Sequence, residues 1–459
     1  MKLPLFTLLV MVARNLANCS YLGLQDPTSL NCVCEPGWIG DTCSQLNFIP
    51  KVESPAAYNE GLYDPQYPTW GGSILEINHT FYGFASTMGN AAGLSCWPQT
   101  SACGIWKSDS INGSWKFISF IGDPALGNNT VPWCHNVRFT IEYKLDNGYL
   151  LNSNKTFALV GYALRKTNSA TGKYYAANLG PANNKICKGY SGNFPSNQKQ
   201  SMHVLYKVLK AKNDKDIVKE IAQILETNTM AHNVNGFDRN ERVNSQLQWT
   251  NLKPKIQNTY DSSVNPPVNP QPLISNSDNY AVLTTNNNGF YYRPLAYRFS
   301  KPESIGILAV RADNFIWETG ASYVKAQEIK IGRNIEDPFF FASRDGFHLI
   351  VHDNNDFACK NIHTTHMSCG TIMHFPRNDN HINLLSSTDA KYWTVPQILY
   401  GSHINGLQDG VYSRQRPYLF FSNKTARALF NSTVWPGKFQ NNAWVSKHGA
   451  IKLYPVFVQ

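Results

Sequence analysis

Charge is sparse in this 459-residue chain, with Asp, Glu, Lys and Arg making up only 16%. Helix formers are scarce, whereas aromatic residues reach 13% and Asn and Ser recur throughout. That balance argues against a helical architecture and favours strands joined by loops. Long apolar runs are missing beyond the N-terminus. No later stretch has 18 uninterrupted apolar residues, so no stable membrane span is expected. A concentrated basic block is also missing. The formal net charge is +10, but it is scattered, and its densest run is "KVLKAKNDKDIVKE" at residues 207–220. Nucleic acid is therefore not the expected partner. The charge suits an extracellular anionic glycan or cell surface, or else serves only solubility.

The first residues read as a targeting segment over 1–17. Lys2 supplies a positive start, "LPLFTLLVMVA" an apolar stretch, and small residues follow around Ala17. A secreted, extracellular protein is expected. The ten cysteines fit an oxidising compartment. So do the glycosylation sequons at Asn78, Asn112, Asn128, Asn154, Asn423 and Asn431. An even cysteine count in such a compartment argues against a cysteine nucleophile.

Residues 18–45 contain "NCVCEPGWIGDTC", with Cys32, Cys34 and Cys43 spaced C-x-C-x8-C around Gly37 and Gly40. The pattern resembles the C-terminal half of an EGF-like module, with its upstream half missing. So small a unit has almost no core and depends on cross-links. The resemblance implies Cys34–Cys43, and leaves Cys19 as the only upstream partner for Cys32. Further along, Cys359 with Cys369 and Cys96 with Cys103 are expected to close local loops, leaving Cys134 and Cys187.

From residue 46 to 459 no linker interrupts the pattern, and one domain is expected. "DKDIVKEIAQILE", Asp214–Glu226, is the one convincing helix, with Ile217, Ile221 and Ile224/Leu225 at helical spacing after an Asp cap. It lies in a stretch, 180–262, that reads as an insertion. The remainder shows a degenerate repeat. A polar element, often beside proline, opens an apolar strand, then come a turn and a second strand. The openings lie in "PTWGGSILEINHTFYGFAS", "PWCHNVRFTIEYKLDNGYLLNSN", "VNPQPLISNSDNYAVLTTNN", "IEDPFFFASRDGFHLIVHD" and "RQRPYLFFSNKTARALFNST". A strand–turn–strand unit cannot bury both its faces alone, but a ring of five such units can. The expected fold is therefore all-β, a five-bladed β-propeller whose openings converge on one mouth of a central channel.

Together the openings resemble the five-bladed propellers of the glycoside hydrolase family 43 superfamily, closest to a secreted branch of it. The residues that carry the likeness are Trp70-Gly71-Gly72, His135-Asn136, Asn269-Pro270-Gln271-Pro272, Glu336-Asp337-Pro338 and Arg414-Gln415-Arg416-Pro417. In family 43 hydrolases the resemblance implies three channel carboxylates, because one group must protonate the leaving oxygen and another must activate water or attack the sugar. This chain departs from that set. The first opening has no acid, the second has His135 and Asn136, and the fifth has Gln415 where the branch commonly carries Glu. Only the fourth offers acids.

Asp337 is the candidate catalytic carboxylate, against the alternative of a strand-entry turn. Glu336 alternates to the other face, as a second acid or a partner for a neighbouring Arg. His135, Asn136, Asn269, Gln415 and the two guanidinium groups of Arg414 and Arg416 are candidate sugar contacts, the arginines alternatively bridging between blades. Trp70 is a candidate platform for a sugar's apolar face, with Trp97 and Trp133 nearby. His352, His363, His366 and His374 have no helix to aim them at a metal, and no metal or cofactor is expected. The expected activity is hydrolysis of a glycosidic bond by a monomer. The alternatives are a lectin-like or adhesion propeller that kept the fold and lost the acids, and a purely structural protein.

Overall fold

The computed structural model describes residues 19–48, 61–62, 64, 66–89, 96–126, 130–145, 155–168, 170–179 and 198–226. Further along it describes 230–231, 242–244, 247–251, 268–272, 274–275, 284–285, 291–298, 304–311, 323–330, 335–343, 346–353, 369–376, 397–400, 413–422, 425–434, 439–440, 443–444 and 449–455. These residues form an all-β protein built of small, mainly antiparallel sheets. No helix among them is long and apolar enough to cross a membrane.

Five sheets begin with the five repeat openings. Their first strands are β1 (Thr69–Ile77), β2 (Cys134–Leu145), β3 (Val268–Pro272), β4 (Ile335–Ala342) and β5 (Ser413–Ser422). From β1 the first sheet continues through Thr80–Met88, Ser101–Ser108 and Lys116–Ile121. The others grow outward in the same way from β2, β3, β4 and β5, with Ile274–Ser275 added in parallel along the other side of β4. β1 packs beside β2, β2 beside β3, β3 beside β4, β4 beside β5, and β5 beside β1. The described residues of β1, β2, β4 and β5 are mostly buried on both faces, as neighbours on either side require. Phe339, Phe340 and Phe341 are all fully buried, which explains an unbroken Phe run where a half-exposed strand would alternate.

Within 180–262, read from the sequence as an insertion, Gln198–Val208 and Gln248–Asn251 complete the sheet that starts with β2. Between them lies the helix Asp214–Glu226, whose Ile217, Ile221, Ile224 and Leu225 are buried among residues of the first two sheets. Its cap is Asn213 rather than an Asp. The Asn213 Oδ1 accepts from the Asp216 N–H at 3.1 Å, and its Nδ2 donates to the Asp216 carboxylate at 2.9 Å. That pair satisfies an otherwise orphaned helix N–H, a contribution of about 1 kcal/mol.

The fifth sheet takes its outermost strand from far upstream. Gly61–Leu62 pairs with Gly449–Pro455, the strand next to Thr425–Val434.

The N-terminal module is two small hairpins, Gly23–Gln25 with Cys32–Cys34 and Trp38–Ile39 with Gln45–Leu46. Cys19–Cys32 and Cys34–Cys43 cross-link it as expected. It is seated on the end of β4. Trp38 stacks on Phe341 with ring centroids 6.0 Å apart, and the Ser343 hydroxyl donates to the Tyr21 carbonyl at 2.8 Å. Behind Ser343, the His348 Nε2 contacts the same hydroxyl, and the His348 Nδ1 contacts the His374 Nδ1, both at 2.8 Å. Burial holds the His348 and His374 imidazoles neutral, pulling His374 to about 3 and His348 well below its ordinary value.

The expected Cys96–Cys103 loop is not formed. Cys103 bonds Cys134 instead, tying Ser101–Ser108 of the first sheet to the first residue of β2. The short helix Trp97–Thr100 ends directly before that strand, so Cys103 already lies in the sheet, facing its neighbour. Cys96 is disulfide-bonded to another cysteine. Cys359, and with it the expected Cys359–Cys369 bond, lies outside the described residues. Asn78 and Asn112 are exposed in turns and Asn431 lies in Thr425–Val434, while Asn128, Asn154 and Asn423 are outside the described residues.

Candidate functional site

Each of the five first strands breaks register at its opening. The shifts fall between Trp70 and Gly72, His135 and Arg138, Val268 and Gln271, Glu336 and Phe339, and Gln415 and Tyr418. Such a bulge adds a residue to one strand and re-aims its side chains. Four bulges hold a residue in the left-handed region: Gly71 at φ +58°, Asn136 at +55°, Asp337 at +53° and Arg416 at +52°. Glycine enters this region freely, and Asn and Asp are enriched there. For Arg416 the conformation costs about 1–3 kcal/mol, the sort of strain that persists only where the surroundings enforce it.

These residues come together although they belong to different sheets. A Cβ on Gly71 would lie 2.7 Å from Arg416 Cδ and 2.8 Å from Asn136 Oδ1, so glycine is required by space as well as by φ. The Asp337 carboxylate lies 3.5 Å from Arg416 Nε on one side and 3.7 Å from His352 Nδ1 on the other. Asp337 is 2% exposed, and the Arg416 side chain 12%. The Arg416 guanidinium also stands 5.8 Å from the Trp70 ring. The amide of Asn136 donates to the Ser86 hydroxyl at 2.5 Å, and that of Gly71 to the Ser432 hydroxyl at 2.6 Å. Hydroxyls from second strands thus hold the bulges in place.

His135 lies beside this group. Its ring stacks on Trp97 at 4.4 Å and on Trp133 at 5.8 Å, and its Nδ1 is 2.9 Å from the Ser101 hydroxyl. Burial, with the nearby charges of Arg416 and Lys166, drives its pKa well down, so the imidazole is neutral. Lys166 shares the same aromatic box. Its ammonium stands 4.3 Å from the Trp133 ring and donates to the Pro98 carbonyl. Burial brings its pKa to about 7.

Beneath the bulges runs Arg138, which is 2% exposed. Its Nη2 donates to the Pro417 carbonyl at 3.2 Å, and its guanidinium packs 5.3 Å from the Tyr418 ring. Among the described residues, its Nε and Nη1 meet no hydrogen-bond acceptor. Leaving buried donors unmatched costs about 1–3 kcal/mol for each group. Burial lowers its pKa to about 10, against the opposing pull of Tyr418 and Asp337, so it stays charged at neutral pH.

The expected contacts Asp337, Asn136, Arg416, Trp70 and His135 are therefore brought to one place. Of Asn269, Glu336, Arg414 and Gln415 the structure gives the strand position only. Of the histidines weighed against a metal, His352 faces Asp337 and His374 faces His348, while His363 and His366 lie outside the described residues. Sequence reasoning missed Arg138, Lys166 and His348. A basic residue inside an apolar strand run, as in "NVRFTI", was the available signal for Arg138.

No family model matches the chain, and no curated protein does either. Solved structures are similar at low identity. An α-L-arabinofuranosidase from Lactobacillus brevis aligns over 87% of this chain and 95% of its own, at 8% identity and TM-score 0.43. A family GH43 endo-arabinanase from Bacillus licheniformis aligns over 86% and 96%, at 12% and 0.40. An exo-1,5-α-L-arabinanase from a bovine ruminal metagenomic library aligns over 86% and 98%, at 9% and 0.40.

Proposed function

We propose that this is a secreted, glycosylated five-bladed β-propeller with a half EGF-like module at its N-terminus. On this reading it binds an extracellular glycan at the mouth where the five openings meet. The cyclic neighbour order of β1 to β5 supports the propeller. The cross-linked hairpins support the EGF-like reading, and the disulfides suit an oxidising compartment.

One observation carries the binding site: Asp337, Arg416, Asn136 and Gly71, all in left-handed bulges, converge from four sheets beside the rings of Trp70 and Trp97. Strained polar residues over-determined by their surroundings mark ligand sites. An acid, a guanidinium and an amide beside aromatic faces match the alternating hydroxyls and apolar C–H faces of a sugar. Among the described residues, Asp337 is flanked by Arg416 and His352 rather than by a second carboxylate. Binding therefore fits this geometry better than cleavage.

Hydrolysis is the second reading. Asp337 occupies the position that the resemblance to family 43 assigns to a channel Asp. It needs a partner acid roughly 5–10 Å away, and Glu336 is the residue that would serve. A glycan array followed by reducing-sugar assays on each hit separates the readings. Binding that falls at least tenfold in Asp337→Asn, with no sugar released, is the expected result. Array binding unchanged by that substitution overturns the site. Release of sugar abolished by Asp337→Asn and by Glu336→Gln establishes hydrolysis instead.

A further inference from the structure

Among the described residues, the charge at this mouth is unbalanced. Arg138 starts on β2 and ends against Pro417 and Tyr418 of β5, yet β2 and β5 are not neighbours; β1 lies between them. The guanidinium thus crosses behind β1's opening, in the space the first strands share. Tyr418 is fixed from the third side, its hydroxyl donating to the Ile74 carbonyl of β1 at 2.8 Å. Along β5, Arg416 precedes Tyr418, so the partly exposed Arg416 sits nearer the mouth and Arg138 lies beneath it. Two guanidinium groups, one above the other, face one described carboxylate, Asp337. Of the deeper one, Nε and Nη1 have no acceptor among the described residues. The other titratable neighbours among the described residues, His135, His352 and Lys166, include no acid. A buried, fully held cation with donors left over is arranged for an anionic group supplied from outside.

We propose that the site takes an acidic glycan, with the carboxylate of a uronic-acid residue entering past Arg416 to accept hydrogen bonds from Arg138. This rests on the glycan-binding reading and names the ligand class. Planar guanidinium donors match a planar carboxylate, and a neutral sugar would leave Arg138 as it is.

Titration calorimetry with trigalacturonate, its fully methyl-esterified form and a neutral arabinotriose tests it. The ester keeps the shape and removes the charge. The expected result is binding of trigalacturonate at least tenfold tighter than of the ester. That preference should weaken with added salt and shrink to below threefold in Arg138→Lys, which keeps the charge but not the fork. Arg138→Met should remove it altogether. Thermal melts of each variant show whether it folds, and if Arg138→Met does not, Arg138→Lys decides. Equal binding of acid and ester, or tighter arabinotriose binding that still depends on Asp337, overturns the acidic-sugar proposal and leaves the glycan site standing. A sulfated trisaccharide binding tighter than trigalacturonate, and equally in Arg138→Lys, overturns it as well. No binding by any sugar overturns both.

Discussion

The two ends of β4 are built from opposite materials. At its start Asp337 sits in a left-handed bulge, held by an arginine from β5 and a histidine from the next strand of its own sheet. Four residues later Phe341 is fully buried, stacked between Trp38 of the N-terminal module and His348, and Ser343 then ties the strand to Tyr21. One end is polar and strained, the other apolar and relaxed. One eight-residue strand thus carries both a place organised for a ligand and a place organised for stability. A burial cost at one end is tolerable because the other end is packed without conflict.

Breaking the apolar end has the largest effect. Phe341→Ala removes a ring shared by Trp38, Phe339, Phe421 and His348, and should destabilise by about 3–5 kcal/mol in urea unfolding. Next comes Cys34→Ser with Cys43→Ser, expected to cost the module about 2–4 kcal/mol, read as lost hydrogen-exchange protection over 19–48. In both variants that remain folded, glycan binding at the mouth should persist.

Acid should also act at this end. The folded pKa values of His348 and His374 lie below the unfolded value near 6.5, so the unfolded chain binds more protons between the two. Their contribution is fully present above about pH 6.5 and is lost as the pH falls toward about 3. Exchange protection of the module should decline over that window, and His374→Gln should flatten the decline.

The smallest change in stability belongs to the polar end. Asp337→Gly places the permissive residue at φ +53°, which offsets part of the cost of taking a buried partner from Arg416, so unfolding should shift by about 2 kcal/mol. Glycan binding should nevertheless fall at least tenfold. A large loss of stability with intact binding would reverse the contrast between the two ends.

How much of this was legible in the sequence follows the same division. The strand openings, the Phe run and the helix Asp214–Glu226 were readable because each depends on local pattern, whereas the two module disulfides followed from the resemblance to an EGF-like module. Asp337 and Asn136 stood out as polar residues at strand starts. Arg138 and Lys166 did not, since an isolated basic residue in an apolar strand has no local signature of what it crosses to reach. The Cys103–Cys134 bond was likewise hidden: it joins different sheets, and proximity in sequence pointed to Cys96. The left-handed bulges were half visible. The Gly, Asn and Asp at those positions announce such a backbone, but Arg416 adopts it against its own preference.

Gly61–Leu62 closes the fifth sheet against Gly449–Pro455, and this imposes an order on biosynthesis. A ribosome delivers the chain from its N-terminus at about 5–20 residues per second, so upstream units ordinarily fold while the rest is still being made. Here the strand that Gly61–Leu62 joins is made only once residues 449–455 have emerged, long after residue 62. A chain that stops before residue 449 leaves Thr425–Val434 with an open edge, so such a truncation should yield an aggregation-prone product rather than a slightly smaller working one.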